Sequence, residues 1–216
     1  MRKLSFLLLC LISFSAKSQS LEDSVLNEII SLRKKGVDTI VQFADGCCFS
    51  PVVYTIQGLG EVMVAKESYL FYKLHGAGMV TKCIYYSDNK GEINYVATLN
   101  PLKIDCDSLL TFASANFEKF RNEKIYPFIY KHKSDGDSSL SWLQYSDASY
   151  FYIGIDTKKE SERKGLDPFD VEREKLKGEI ENLNYTYNSS TSIFKIYMMA
   201  QQLIKSIEEK FSYGNK

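Results

Sequence analysis

The clearest periodicities lie near the two ends of the chain. Leu21, Val25, Ile29 and Leu32 recur at steps of four, four and three, which predicts an amphipathic helix with one apolar stripe. Ser20 stands where an N-cap belongs, and Asp23 three residues later completes a capping-box pattern. Lys34 and Lys35 suit the negative C-terminal end, and Gly36 stops the helix. At the far end Ile193, Tyr197, Ala200, Ile204, Ile207 and Phe211 alternate steps of four and three, predicting a long helix whose stripe faces a core.

The stretch between them has a different rhythm. Val37 to Ala44 is β-branched and apolar enough for a strand, and Asp45-Gly46 then turns the chain toward Pro51, which limits regular pairing. Val52–Gln57, Glu61–Lys66, Tyr69–His75, Met79–Ser87 and Ile93–Leu99 read as an antiparallel meander. Gly58 and Gly60, Gly76 and Gly78, and Asn89-Lys90-Gly91 punctuate it. Asp105 or Asp107 can cap a helix to about Asn122, with Leu109, Phe112, Asn116 and Phe120 along one side. Ile125–Lys131 and Ser149–Ile155 are expected strands, with a polar loop from Ser134 to Ser141 between them. Asp167-Pro168 reads as the cap and first position of a charged helix to about Leu183. The expected class is α+β: an antiparallel meander packed by an N-terminal helix, a middle helix and a long C-terminal amphipathic helix.

The first residues change how the rest is read. Arg2 and Lys3 precede an apolar run from Leu4 to Phe14, and Ala16 and Ser18 occupy the −3 and −1 positions of a signal-peptidase site. Residues 1–18 are therefore expected to be a cleavable signal peptide, cut between Ser18 and Gln19, with residues 19–216 forming one globular domain. The run is about half the roughly 20 residues a membrane span requires. Acylation at Cys10 is not expected, because Leu9 replaces the small residue that must precede it. No later segment reads as a span, so localisation is expected to be periplasmic or extracellular.

Cleavage removes Arg2, Lys3 and Lys17, leaving 24 basic against 27 acidic residues, a net charge of about −3. That balance, with its cations dispersed, argues against nucleic-acid binding. The 28 Phe and Tyr residues supply ample core and argue against disorder.

Cleavage also removes Cys10, leaving Cys47, Cys48, Cys83 and Cys106. An even number in an exported chain points to two disulfides. Neighbours in an extended chain face opposite ways, so separate bonds from Cys47 and Cys48 to Cys83 and Cys106 are favoured over a strained Cys47–Cys48 ring. Buried free thiols are the plainer alternative. A redox pair would want a C-x-x-C spacing, and zinc would need more than His75 and His132 added to scattered cysteines.

Catalytic motifs do not assemble. Ser31-Leu32-Arg33-Lys34 and Ser87-Asp88-Asn89 match two motifs of penicillin-recognising serine enzymes, but no K-T-G follows and S-x-x-K also begins at Ser161 and Ser192. His75-Gly76-Ala77-Gly78 lacks the companion G-x-S-x-G of esterases and reads as a turn between strands. Asp135-Gly136-Asp137 starts like a calcium loop, yet Leu140 stands at the sixth position and Ser146 at the twelfth. Asn184-Tyr185-Thr186 and Asn188-Ser189-Ser190 have the form of glycosylation acceptors.

No cofactor or metal is expected. The leading functional reading is a non-catalytic, inhibitor- or immunity-like module that binds another exported or envelope protein. An enzyme with residues scattered over loops, and a small-ligand binder, are the alternatives.

Overall fold

The computed structural model describes residues 20–45, 52–56, 60–87, 94–134, 137–142, 150–175 and 180–212. The expected signal peptide, Cys47, Cys48 and Gly46 of the expected Asp45-Gly46 turn lie outside the described residues. The fold is α+β, as the periodicities predict.

Helix α1 (Leu21–Lys34) forms where its signals place it. Ser20 Oγ accepts from the Asp23 N–H at 3.0 Å, and the Asp23 carboxylate returns to the Ser20 N–H. Val37 N–H reaches Leu32 C=O and Gly36 N–H reaches Arg33 C=O, closing the C-terminal end with Gly36 at φ +85°. Leu21, Val25, Ile29 and Leu32 are the buried face. Each buried side chain of this kind stabilises by roughly 1.5–3 kcal/mol.

The strands are β1 (Thr39–Asp45), β2 (Val52–Ile56), β3 (Gly60–Leu74), β4 (Ala77–Ser87), β5 (Asn94–Thr98), β6 (Leu102–Lys103), β9 (Phe151–Thr157) and β10 (Ser161–Leu166). They form one antiparallel sheet in the order β10-β9-β1-β3-β4-β5, with β2 on β3 and β6 on β4. Residues Glu61–His75, expected as two strands, belong mostly to the single strand β3. It runs through the polar Lys66-Glu67-Ser68 on a register shift between Val64 and Lys66. Leu74 pairs with Ala77, so His75 (φ +50°) and Gly76 (φ +79°) form a two-residue turn with both φ positive. The His75–Gly78 motif is thus a hairpin turn and its exit.

Both faces of the sheet are covered, so strand residues are buried in succession rather than alternately. Ile40, Leu70, Tyr72 and Cys83 face α1. Val41, Phe43, Tyr69, Phe71, Val80 and Ile153 face the larger core with α2 (Asp107–Ala115), α3 (Phe117–Asn122) and α5 (Ser192–Ser212). In α5, Ile193, Ala200, Ile207 and Phe211 are buried, and Tyr197 and Ile204 pack partly buried against the same core. The single middle helix expected to Asn122 is two helices. Asn116 ends the first by turning its amide back onto Phe112 C=O at 2.9 Å. Cys106 is the N-cap residue, while Asp105 accepts from the Asp107 N–H.

Two expectations fail in the segment from Ile125 to Leu183. The Ser134–Ser141 loop is largely a strand, β8 (Asp137–Trp142), paired with β7 (Ile129–Ser134) in a separate hairpin. Ser134 pairs with Asp137 at the closed end of the ladder; the two residues between them lie outside the described residues. The helix expected from Asp167 to Leu183 is only a 3-10 turn, Pro168–Val171, followed by the two-residue strands β11 (Glu174–Lys175) and β12 (Ile180–Glu181). Asp167 does cap, accepting from the Phe169 N–H at 2.9 Å. Only Val171 of that turn is buried, so no apolar stripe carries the helix further. The short helix α4 (Tyr185–Ser190) then leads into α5.

Candidate functional site

A lone two-stranded hairpin is marginal in water, and β7–β8 is not part of the main sheet. Its base is held by side chains instead. Asn188 is fully buried; its Oδ1 accepts from the Tyr126 N–H at 3.0 Å, and its Nδ2 donates to Tyr126 C=O and Asp170 C=O. Asn184 Nδ2 donates to Pro127 C=O, Phe128 N–H donates to Asp170 Oδ1 at 2.8 Å, and Leu183 N–H donates to Ile129 C=O. Five backbone groups between Tyr126 and Ile129 are thereby bonded, and the Phe128 ring is buried among them. Asn182 secures the opposite wall, donating to Asp170 and Glu172 carbonyls and accepting from the Asn184 N–H. The acceptor motif at Asn188 is explained here, since a buried amide with three hydrogen bonds is not open to glycosylation in the fold.

What this base presents is apolar. Trp142, the only tryptophan, is 74% exposed and Leu140 is 67% exposed. Two residues apart on one strand, they share a face, opposite Ile129 and Lys131 across the ladder. Tyr126 and Tyr187, both exposed, pack at 5.0 Å between ring centroids, and Leu183 is exposed beside Ile129. Five of the exposed large apolar side chains therefore belong to the hairpin and the segments that hold its base. This aromatic surface is what an interaction reading requires.

The most perturbed titratable groups lie elsewhere. Lys82, almost wholly buried on β4, sits 2.7 Å from Glu67 Oε2 and 2.5 Å from Glu208 Oε1. Tyr69 hydroxyl lies 3.0 Å from Glu67 Oε1 and also bonds Glu208 Oε2, while the Tyr69 and Phe211 rings flank the ammonium at 5.1 and 5.9 Å. Burial pushes the Glu67 carboxyl above its usual range; Lys82 opposes that and Glu208 adds to it. The phenolic proton can be donated to only one of the two carboxylates at a time. The principal cavities do not reach this cluster. It ties the end of α5 to β3 and β4.

Cys83 and Cys106 are fully buried free thiols in different cores, one facing α1 and the other at the start of α2. Burial pushes Cys83 up to about 11 and raises Cys106 as well. Neither is poised as a thiolate. Their expected partners Cys47 and Cys48 lie outside the described residues, as does half of the calcium-like loop, whose described part is strand β8. His75 lines an open hollow with Lys73 and Asp107, which pair at 2.7 Å in solvent. Among the described residues, no three His, Cys, Asp or Glu side chains gather to hold a metal, and no helix is long and apolar enough to cross a membrane. No family model matches this chain, and no curated protein and no solved structure is detectably similar to it.

Proposed function

We propose that this chain is an exported, non-catalytic protein-binding module, inhibitor- or immunity-like in role, that grips another exported or envelope protein with the β7–β8 hairpin. The observation that carries the reading is Trp142 and Leu140, side by side, exposed, and borne on a base whose backbone is held by buried side-chain hydrogen bonds. A rigid aromatic anchor loses little entropy on docking, and tryptophan is enriched among residues that dominate interfaces. The mildly acidic charge after cleavage favours a protein over a nucleic acid as partner.

Export is part of the proposal: cleavage between Ser18 and Gln19 leaves one domain, residues 19–216, in an oxidising compartment. Oxidation there would join Cys47 and Cys48 to Cys83 and Cys106, the two thiols that are free and buried in the structure. Intact mass of the exported protein checks both points. A retained leader sinks the first, and four thiols alkylated in denaturant without reductant sink the second.

The binding claim is tested by comparing the mature protein with a Trp142→Ser, Leu140→Ser variant as baits in envelope extracts. The double variant should unfold within about 0.5 kcal/mol of the parent, since both side chains are solvated. It should lose a partner that the parent retains. Identical retained proteins for both baits would remove the hairpin from the interface.

A further inference from the structure

The face of the sheet toward α1 is only partly roofed. The helix packs over β3, β4 and β5, leaving a cavity of about 420 Å³ between its first turns and the strands β1, β3, β9 and β10. That volume lies within the range of small-molecule sites. Leu21 and Val25 form its apolar wall, Ala44 and Ser68 keep part of its floor low, and Gly165 at its edge makes room for the Tyr150 ring. Gly154, between Gln42 and Arg163 in the strand ladders, lowers the next row: a Cβ there would meet Gln42 at 3.3 Å and Arg163 at 3.4 Å.

Gln42 is the observation that points to a ligand. Its residue is 8% exposed, its Nε2 donates to Ser68 Oγ at 3.2 Å, and its Oε1 has no partner. That Oε1 lies 3.4 Å from where a Gly154 side chain would project. A buried carbonyl left unpaired costs about 1–3 kcal/mol. Around it, Arg163 and Lys66 line the cavity with no hydrogen bond or close ion pair among the described residues, although Asp156 lies near enough to Arg163 to feel its charge. Asp45, also in the lining, is already engaged, and Glu22 lies exposed in the first turn of α1, where a carboxylate is favoured. Tyr152 offers a half-exposed ring at the mouth.

We infer that this cavity binds a small organic carboxylate with an apolar body and a hydrogen-bond donor. The carboxylate lies on Arg163 and Lys66, the apolar body rests against Leu21, Val25 and Tyr152, and the donor meets Gln42 Oε1. The site is distinct from the hairpin surface and does not depend on it.

Titration calorimetry and amide chemical shifts with 4-hydroxybenzoate as the probe test this on the whole mature protein. The expected result is a dissociation constant below about 1 mM, weakened by salt as a charge-assisted contact must be. Shifts should fall at Gln42, Gly154 and Arg163. Arg163→Met should weaken binding at least tenfold while leaving the unfolding midpoint in place, because an exposed guanidinium is replaced by a side chain of similar length. Gly154→Val should block the floor, and Trp142→Ser, which acts on the separate hairpin surface, should leave the dissociation constant of this probe unchanged. The neutral 4-hydroxybenzamide binding as tightly as the acid, inorganic phosphate competing equally, unchanged binding in Arg163→Met, or no binding at all would each overturn the assignment.

Discussion

The end of α5 and the base of the β7–β8 hairpin are both fixed by buried polar groups, but the chemistry differs. At the end of α5 the groups are charged: one ammonium between two carboxylates, with a phenol alongside. At the hairpin base they are mostly amides, and what they bond is backbone. A charged cluster depends on all its members, because removing the cation leaves like charges facing each other away from water. An amide network carries no net charge, so each member fails separately and at a cost set by the groups it leaves unpaired. The contrast suits their tasks. The cluster holds a long helix onto a sheet that already has a large core, whereas the amides hold up a hairpin that has little core of its own.

The largest effect is therefore expected at Lys82. Lys82→Met keeps the aliphatic stem but strands Glu67 and Glu208, and should cost about 3–5 kcal/mol in urea unfolding at pH 7.5. Adding Glu67→Gln should recover part of that, since one of the two facing charges is gone. A Lys82→Met cost below 1 kcal/mol or so would mean that the cluster is hydrated and behaves like a surface pair.

Asn188→Ala comes next. It removes three hydrogen bonds and leaves the Tyr126 N–H, the Tyr126 carbonyl and one bond of the Asp170 carbonyl unmade, so about 2–4 kcal/mol is expected. Asn188→Asp keeps the acceptor for the Tyr126 N–H but sets a buried carboxylate oxygen against the Tyr126 and Asp170 carbonyls, so at pH 7.5 it should cost more than the alanine variant. The informative readout is hydrogen exchange: protection should fall first from Tyr126 to Tyr130. Uniform loss across the sheet would show that the hairpin base and main sheet unfold as one unit, and the contrast drawn between them would collapse.

Legibility follows the same divide. Helix α1 can be read residue by residue because its capping box, apolar stripe and Gly36 closure all act within five positions. The turn at His75-Gly76 is similarly local. Strand β3 is misread as two because Lys66-Glu67-Ser68 looks like a polar break. Its polar side chains are accommodated by distant residues, Ser68 by Gln42 and Glu67 by Lys82 and Tyr69. The segment after Asp167 is misread as helix for the converse reason. Its cap is right, but Asp170, Asn182 and Asn188 spend their hydrogen bonds on backbone up to 62 residues away. The exposed Trp142 surface had no signal beyond a single tryptophan in a polar stretch. The low floor under α1 had none, because Gly154 acquires meaning only once β9 lies between β1 and β10.

The smallest effect belongs to Asp170, the one ionisable group at the centre of the amide network. Burial raises its carboxyl to about 6, with the Phe128 N–H opposing and the charge of Asp167 assisting. Unfolded, it titrates near 3.8, so between those values the folded chain holds a proton that the unfolded chain has released. The stability this group contributes is full below about 3.8 and is lost as pH rises through about 6. Asp170→Asn retains an oxygen for the Phe128 N–H and removes the charge. It should flatten this part of the pH dependence and leave the variant more stable than the parent at pH 8, by about 1 kcal/mol once the carboxyl's partial exposure is allowed for. The parent-minus-variant difference isolates the group from Glu67, Asp156 and Asp167, whose carboxyls burial also raises. A difference that stays constant from pH 4 to 8 would mean that Asp170 is ionised throughout. The hairpin base would then rest on a buried charge, like the end of α5.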